Sequence, residues 1–389
     1  MNFDVAIIGG GLVGASLAAA LKHSGLSLAL VESQSLLTQN GVDADGWDAR
    51  IYAISPGSRA FLEESGAWDL LDTGRISPVE AMRVFGDTAG ELEFSAYQMG
   101  VAELACIMEN RALQSALWSV LQRQENLTLL NPAQCASLKV GKDAAVLTLE
   151  DGRVLNAKLV VGADGRDSWV RNRAGIGASP VDYHQHGVVA NFSCEKSHRG
   201  VAYQWFQPGG ILALLPLPGN RVSMVWSTSP EHSAELSALT QEALSEEVAA
   251  AAQHMLGKMR VITSPAAFPL RMLLLPQIIA PRVALIGDAA HNMHPLAGQG
   301  VNTGFRDARR LAKVLIGRGE QSDCGDSQLL RRYERKRKED IYTMQAATYG
   351  LKHLFNNNLP VLRSMGNLGL NAVNRLTPLK KMLVRHAFN

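Results

Sequence analysis

Apolar residues fall along this chain in short runs that end on glycine or on an acid. Phe3 to Ile8 is one such run, partly β-branched, and predicts a buried parallel strand. Leu12 to His23 is rich in alanine and leucine and stops near Gly25, as a helix does at its C-terminal end. Leu28 to Val31 predicts a second strand closed by Glu32. Leu159 to Val161 and Val283 to Ile286 repeat the strand pattern and end in Asp164-Gly165 and Gly287-Asp288. The first of these turns leads into a helix carrying Arg166, Arg171 and Arg173, and Arg111 opens another.

From about 181 to 228 the texture changes. HGVVANFSC, VAYQWFQ, GILALLPL and RVSMVWST are strand-like runs separated by turn residues, with no helix between them. That pattern predicts an antiparallel sheet, a candidate wall for a substrate pocket. Tyr203, Trp205 and Trp226 are candidates for that wall or for ordinary core. Residues 232 to 258 then read as one helix.

Gly9, Gly11 and Gly14 form a GxGxxG turn between the first strand and its helix. Gly9 permits the tight turn, Gly11 lets backbone approach a pyrophosphate, and Gly14 lets helix and strand pack closely. The helix N-terminus offers free N–H groups to phosphates. Glu32 stands where a carboxylate accepts from an adenosine ribose. The motif serves FAD and NAD alike.

With 38 Lys+Arg against 36 Asp+Glu, the chain of 389 residues makes no case for nucleic acid. Its four cysteines are scattered without metal spacing, which fits reduced thiols in a cytoplasmic protein. No apolar run reaches membrane-span length, and the N-terminus lacks a signal-peptide pattern.

Residues 287 to 307, GDAAHNMHPLAGQGVNTGFRD, admit three readings. His291, His294 and Asp288 could hold a metal, but no further ligand set accompanies them, so no metal is expected. The histidines could serve as acid and base. The third reading is a cradle for a flat ring. Asp288 would meet a ribityl hydroxyl, Pro295 would restrict the loop, and Gly298, Gly300, Val301 and Asn302 would open a helix facing a flavin edge.

GDAAHNMHP resembles the GD motif of class A flavoprotein monooxygenases, and ADG at 163 to 165 resembles their DG motif. HPLAGQGVNTGFRD resembles the signature of the ubiquinone-biosynthesis hydroxylases within that class. With GxGxxG, the resemblance spans residues 5 to 307 in order. It implies an α/β fold: a Rossmann-like FAD-binding domain (1–73, 98–180, 268–345), interleaved with an antiparallel-sheet substrate domain (74–97, 181–267), and a helical C-terminal tail (346–389). Arg50 and Arg111 would contact the flavin's ribityl–phosphate region, and the DG turn would touch FAD.

The implied reaction uses non-covalent FAD, NAD(P)H as electron donor, and O2. A flavin C4a-hydroperoxide would then hydroxylate the ring of a polyprenyl phenol. The cofactor carries this chemistry, so no catalytic side chain is assigned, although Tyr203 or His291 could assist phenol deprotonation. A second GxGxxG is absent, unlike in two-fold disulfide-reductase flavoproteins, and no Trp-x-Trp points to a halogenase. A same-fold oxidoreductase of another substrate, a non-catalytic flavin-binding subunit of a quinone-biosynthesis complex, and a plain NAD-dependent dehydrogenase are the alternatives. A homo-oligomer is left open.

After Asp340 the chain has no acid, whereas Lys352, Arg363, Arg375, Lys380, Lys381 and Arg385 are basic among leucines. This tail either packs on its own domain or docks to an anionic membrane surface at the inner face, or to other quinone-biosynthesis proteins. Deleting 360–389 should then abolish co-sedimentation with anionic liposomes; unchanged sedimentation rules the membrane role out.

Overall fold

The computed structural model describes residues 1–35, 46–88, 90–292, 299–319 and 322–355, together with 367, 369–371, 373, 374 and 380. Five parallel strands organise the first sheet, in the spatial order Val283–Leu285, Val154–Gly162, Asn2–Ile8, Leu28–Val31 and Leu127–Leu130. Val5, Ala6 and Ile7 in the central strand are fully buried, as are Leu28 to Leu30 beside it. Parallel strands covered on both faces read as continuous apolar runs, which explains why the sequence shows no alternation here. The helix Leu12–Ala20 packs against Asn110–Leu121 and Gln299–Ile316.

Register aligns the strand ends. Ile8 lies opposite Val31 on one side and Gly162 on the other, and Gly162 lies opposite Leu285. The segments that follow, headed by Gly9, Glu32, Asp164 and Asp288, therefore leave the sheet side by side.

The second sheet runs Met259–Val261, Ser179–Cys194, Arg221–Thr228, Gly210–Leu217, Val201–Gln207, Ala81–Phe85 and Glu91–Ser95. Ala266–Leu274 also pairs along Ser179–Cys194, so this sheet continues past residue 268, where the sequence reading drew a boundary. Side chains alternate. Phe192, Tyr203, Trp205, Leu214, Met224 and Trp226 point to one face and pack with Leu236, Leu244 and Val248 of the covering helices.

Of the two readings open for the aromatics, ordinary core holds for Trp205 and Trp226, which the period-two pleat turns toward the covering helices; Tyr203 stacks on Trp205 at 5.7 Å and 17° in the same core and also borders the cavity. One expectation changes here. The single helix expected over 232 to 258 is two, Pro230–Ala238 and Gln241–Ala251. Leu239 is extended, and the Thr240 hydroxyl accepts from the Ala243 N–H to start the second helix.

The tail folds back on the sheet. Asn367, Asn371 and Asn374 accept from the backbone N–H groups of Gly90, Glu91 and Glu93 at 3.1, 3.1 and 3.2 Å. Their i, i+4, i+7 spacing puts three amides on one helix face, and they satisfy donors of an edge strand. Leu370 is buried with Val84, Leu92, Phe206 and Ile211. Lys380, counted above among basic residues for an anionic surface, is buried. Deleting 360–389 would thus also strip this latch from the sheet.

Gly90 makes the latch fit, since a Cβ there would lie 2.5 Å from Asn367 Oδ1 and 2.9 Å from its Cα. Gly90→Ala should therefore release the tail and raise tryptic cleavage within it about tenfold, equivalent to roughly 1.4 kcal/mol of lost docking. Limited proteolysis at constant FAD content checks this, and unchanged cleavage would refute it.

Candidate active site

A cavity of about 1910 Å³ opens at the ends of the parallel strands and extends to the second sheet. Gly9, Gly11, Glu32, Arg50, Arg111, Asp164, Gly165, Asp288, Gly300 and Val301 all border it. Three turns far apart in sequence thus meet around one space.

The glycines divide their work as the motif predicts. Gly9 has φ +102°, and a Cβ on it would lie 2.4 Å from the Ala163 carbonyl oxygen. A Cβ on Gly14 would lie 2.0 Å from the Gly9 carbonyl oxygen, so helix and turn touch only because it is absent. At Gly11 a Cβ would meet nothing within 4 Å. Gly11 is also the N-cap of its helix and provides no side-chain cap, so the first-turn N–H groups face the cavity free for an anion.

Gly10 is held from behind. Its carbonyl accepts from Gln114 Nε2 at 2.6 Å and from Trp118 Nε1 at 2.9 Å, and its N–H donates to Glu32 Oε2 at 2.7 Å. Neither Gln114 nor Trp118 stands in a sequence motif for the cofactor. Their signal is an i, i+4 pair of side chains able to donate, set among leucines on the buried face of an amphipathic helix.

Asp164 carries a structural duty as well. Its Oδ1 accepts from Ser168 Oγ at 2.5 Å and its Oδ2 from the Val170 N–H at 3.0 Å, which fixes the start of Trp169–Arg173. Asp48 ties the two arginine segments together, accepting from the backbone N–H groups of Arg50 and Arg111. The Arg111 guanidinium donates to the Gly46 carbonyl at 2.7 Å.

The Asp288 side chain is exposed to the cavity, while the protein packed around that cavity desolvates its carboxyl. Burial pushes its carboxyl above the usual carboxylate range, against the charges of His291, Arg50 and Arg166. His291 also borders the cavity, and its Nε2 lies 2.5 Å from Asp307 Oδ2, so that ring nitrogen is engaged within the protein. Asp307 is fully buried and also accepts from the Gly287 N–H at 2.9 Å and Arg337 Nε at 2.6 Å. Burial would raise its pKa, but His291 and Arg337 outweigh that and hold it below the usual range. This network, unseen in the sequence reading, clamps the GD turn to the helix Gln299–Ile316.

The Asn302 side chain has a structural duty: it accepts from the Ser55 N–H at 3.0 Å and donates to the Ala53 carbonyl at 2.8 Å, which pins the helix to the strand Ile51–Ile54. Pro295, Gly298 and His294 lie outside the described residues.

Strand-end turns of a parallel sheet, converging on a cavity backed by an antiparallel wall, define a dinucleotide-cofactor protein with a built-in substrate site. Residues 2–347 match the family described as FAD binding domain, and the chain belongs to that family. It is 38% identical over 387 residues to ubiquinone hydroxylase UbiL of Rhodospirillum rubrum, covering 99% of this chain and 89% of the relative. It is 36% identical over 387 residues to 3-demethoxyubiquinol 3-hydroxylase of Escherichia coli, covering 99% and 98%. Among solved structures, p-nitrophenol 4-monooxygenase PnpA of Pseudomonas putida shares the fold at TM-score 0.79 and 18% identity, over 100% of this chain and 99% of that one. Klebsiella pneumoniae HpxO complexed with FAD and uric acid shares it at TM-score 0.75 and 18% identity, over 98% and 97%.

The residues present fit FAD. The open space at Gly11 and the uncapped helix above it suit a pyrophosphate, and Glu32 at the second strand end suits a ribose. Gly11→Ala should therefore leave the apo-protein's unfolding temperature unchanged while weakening FAD binding about tenfold or more, through the lost close approach. Gly14→Ala should instead destabilise the apo-protein by about 1–3 kcal/mol, as overpacking does. Flavin titration beside thermal unfolding separates the two; a Gly11 variant with full FAD affinity would sink the assignment.

Proposed function

We propose that this protein is an FAD-dependent monooxygenase that hydroxylates the aromatic ring of a polyprenylated phenol in ubiquinone biosynthesis. The chemistry FAD supplies when bound is reduction by NAD(P)H and activation of O2. One observation carries the reading. The glycine turn, DG turn and GD turn share a cavity with an apolar, antiparallel wall, on a chain 36–38% identical to ubiquinone hydroxylases over nearly its whole length.

The protein's own groups bind, orient and exclude water. The N-terminus of Leu12–Ala20 receives the pyrophosphate, Glu32 the ribose, and Asp288 a ribityl hydroxyl. Arg50 and Arg111 flank the phosphate region. Gly300 and Val301 bring the first turn of an 18-residue helix to the cavity, where its N–H groups favour negative charge on an adjacent ring. Pro295 and Gly298 complete this cradle in the proposal.

Val79, Met82, Phe94, Leu104 and Ile107 form an apolar flank of the same cavity, which supports a substrate with a hydrocarbon chain. No helix among the described residues is long and apolar enough to cross a membrane. Peripheral contact with the bilayer, by the remaining basic residues of the tail, completes the proposal.

The test uses the full chain loaded with FAD. Addition of 2-farnesylphenol should speed NAD(P)H oxidation about tenfold or more and yield a product one oxygen atom heavier, one per O2 consumed. Oxygen uptake that is independent of the phenol, with no oxygenated product by mass, would exclude the hydroxylase reading.

A further inference from the structure

On the pocket face of the second sheet, one cross-strand row runs Val84, Gln204, Ala213, Val225, Val189. Four members are aliphatic. Gln204 is the polar exception, and its neighbours in the row carry no side-chain group that could satisfy it. Only 7% of it is exposed, it borders the cavity, and among the described residues no protein group pairs with its amide, which stays open to the cavity. Gln114, which also borders the cavity, instead donates its amide to the Gly10 carbonyl. An amide that opens only into a cavity is completed by what the cavity holds, and a ligand that shuts water out without a matching group strands it.

The surrounding wall is equally specific in what it lacks. The residues of the four central strands that border the cavity are Val189, Ala202, Tyr203, Gln204, Ile211, Ala213, Leu215, Ser223, Val225 and Ser227, and none carries a formal charge. The Arg271 that borders the cavity lies on the neighbouring strand, is exposed, and stands opposite Asp182. Among the described residues, the other ionic groups of the cavity lie at the parallel-strand ends or, as Asp48, Arg50 and Arg111 do, beside the strand Ile51–Ile54, and Arg166 reaches the edge of the second sheet by donating to the Pro269 carbonyl at 3.0 Å. A carboxylate seated on this wall would lose its water without gaining a cation.

We propose that Gln204 recognises and orients the substrate ring through its oxygen substituent, and that the uncharged wall around it selects a neutral phenol over a ring bearing a carboxylate. This rests on the hydroxylase reading above and specifies its substrate class. A carboxamide both donates and accepts, so it can take a phenolic O–H and offer an N–H to the same oxygen or to an ether beside it. Sites built around such a bond discriminate strongly against analogues that lack it, because the protein's own polar group is then stranded.

The experiment measures binding to the FAD-loaded full chain, by substrate-induced change in flavin absorbance, with three probes. These are 2-farnesylphenol, farnesylbenzene without the hydroxyl, and 3-farnesyl-4-hydroxybenzoate. Wild type should bind the phenol at least about tenfold more tightly than either other probe. Gln204→Met should erase the preference for the phenol over farnesylbenzene by weakening the phenol alone, with FAD content and unfolding temperature unchanged. Gln204→Leu, read the same way, guards against a packing fault peculiar to methionine.

Full phenol affinity in both variants, or an equal loss for phenol and farnesylbenzene, overturns the role of Gln204. Benzoate binding as tight as the phenol overturns the neutral-ring selection. A wild type that binds none of the three removes the hydroxylase reading itself, and this inference with it. Normal wild-type binding with an inert Gln204 removes only the inference.

Discussion

Everything in this molecule depends on adjacent parallel strands ending at the same level. Parallel pairing points every carboxyl end the same way, and the register Leu285–Gly162–Ile8–Val31 brings four of them out together. Turns separated by well over a hundred residues then line one cavity. Had one strand slipped or run antiparallel, its acid or glycine would open on another face. Gly9 and Gly14 protect this arrangement, because a methyl at either would strike backbone and push the first helix off the sheet.

The GD turn needs a second restraint, since the strand before it is only three residues long. Asp307 supplies it by accepting from the Gly287 N–H, with His291 and Arg337 bonded to the same carboxylate. A fully buried carboxylate is costly on its own, and its partners offset that cost only as a set. The result is a stiff connection between the turn that carries Asp288 and the helix whose first turn carries Gly300 and Val301. Through its Nε2, His291 also serves as a strut in the fold.

The second sheet divides its labour by the pleat. Aromatic and long aliphatic side chains face the covering helices, while alanines, valines, serines and one glutamine face the cavity. Small residues leave room for a ring and its substituents, and the large ones keep the wall rigid from behind. The tail contributes from the far edge, where its asparagine ladder closes the exposed strand and sets Leu370 against Ile211 of the wall.

Much of the outline was legible in the sequence by itself. Apolar runs ending in glycine or an acid predicted the parallel strands, and GxGxxG with Glu32 predicted their ligand class, because both signals are local and periodic. Family resemblance extended this to the cofactor and the reaction. What only the tertiary structure decided is which groups meet. The pleat sent Trp205 and Trp226 into the core, left Gln204 in the pocket and set Tyr203 between the two. The Asn302 side chain bonds a strand nearly 250 positions away, and Gln114, Trp118, Asp307 and Arg337 took up positioning roles. Those outcomes follow from facing direction and long-range register, which no window of neighbouring residues contains.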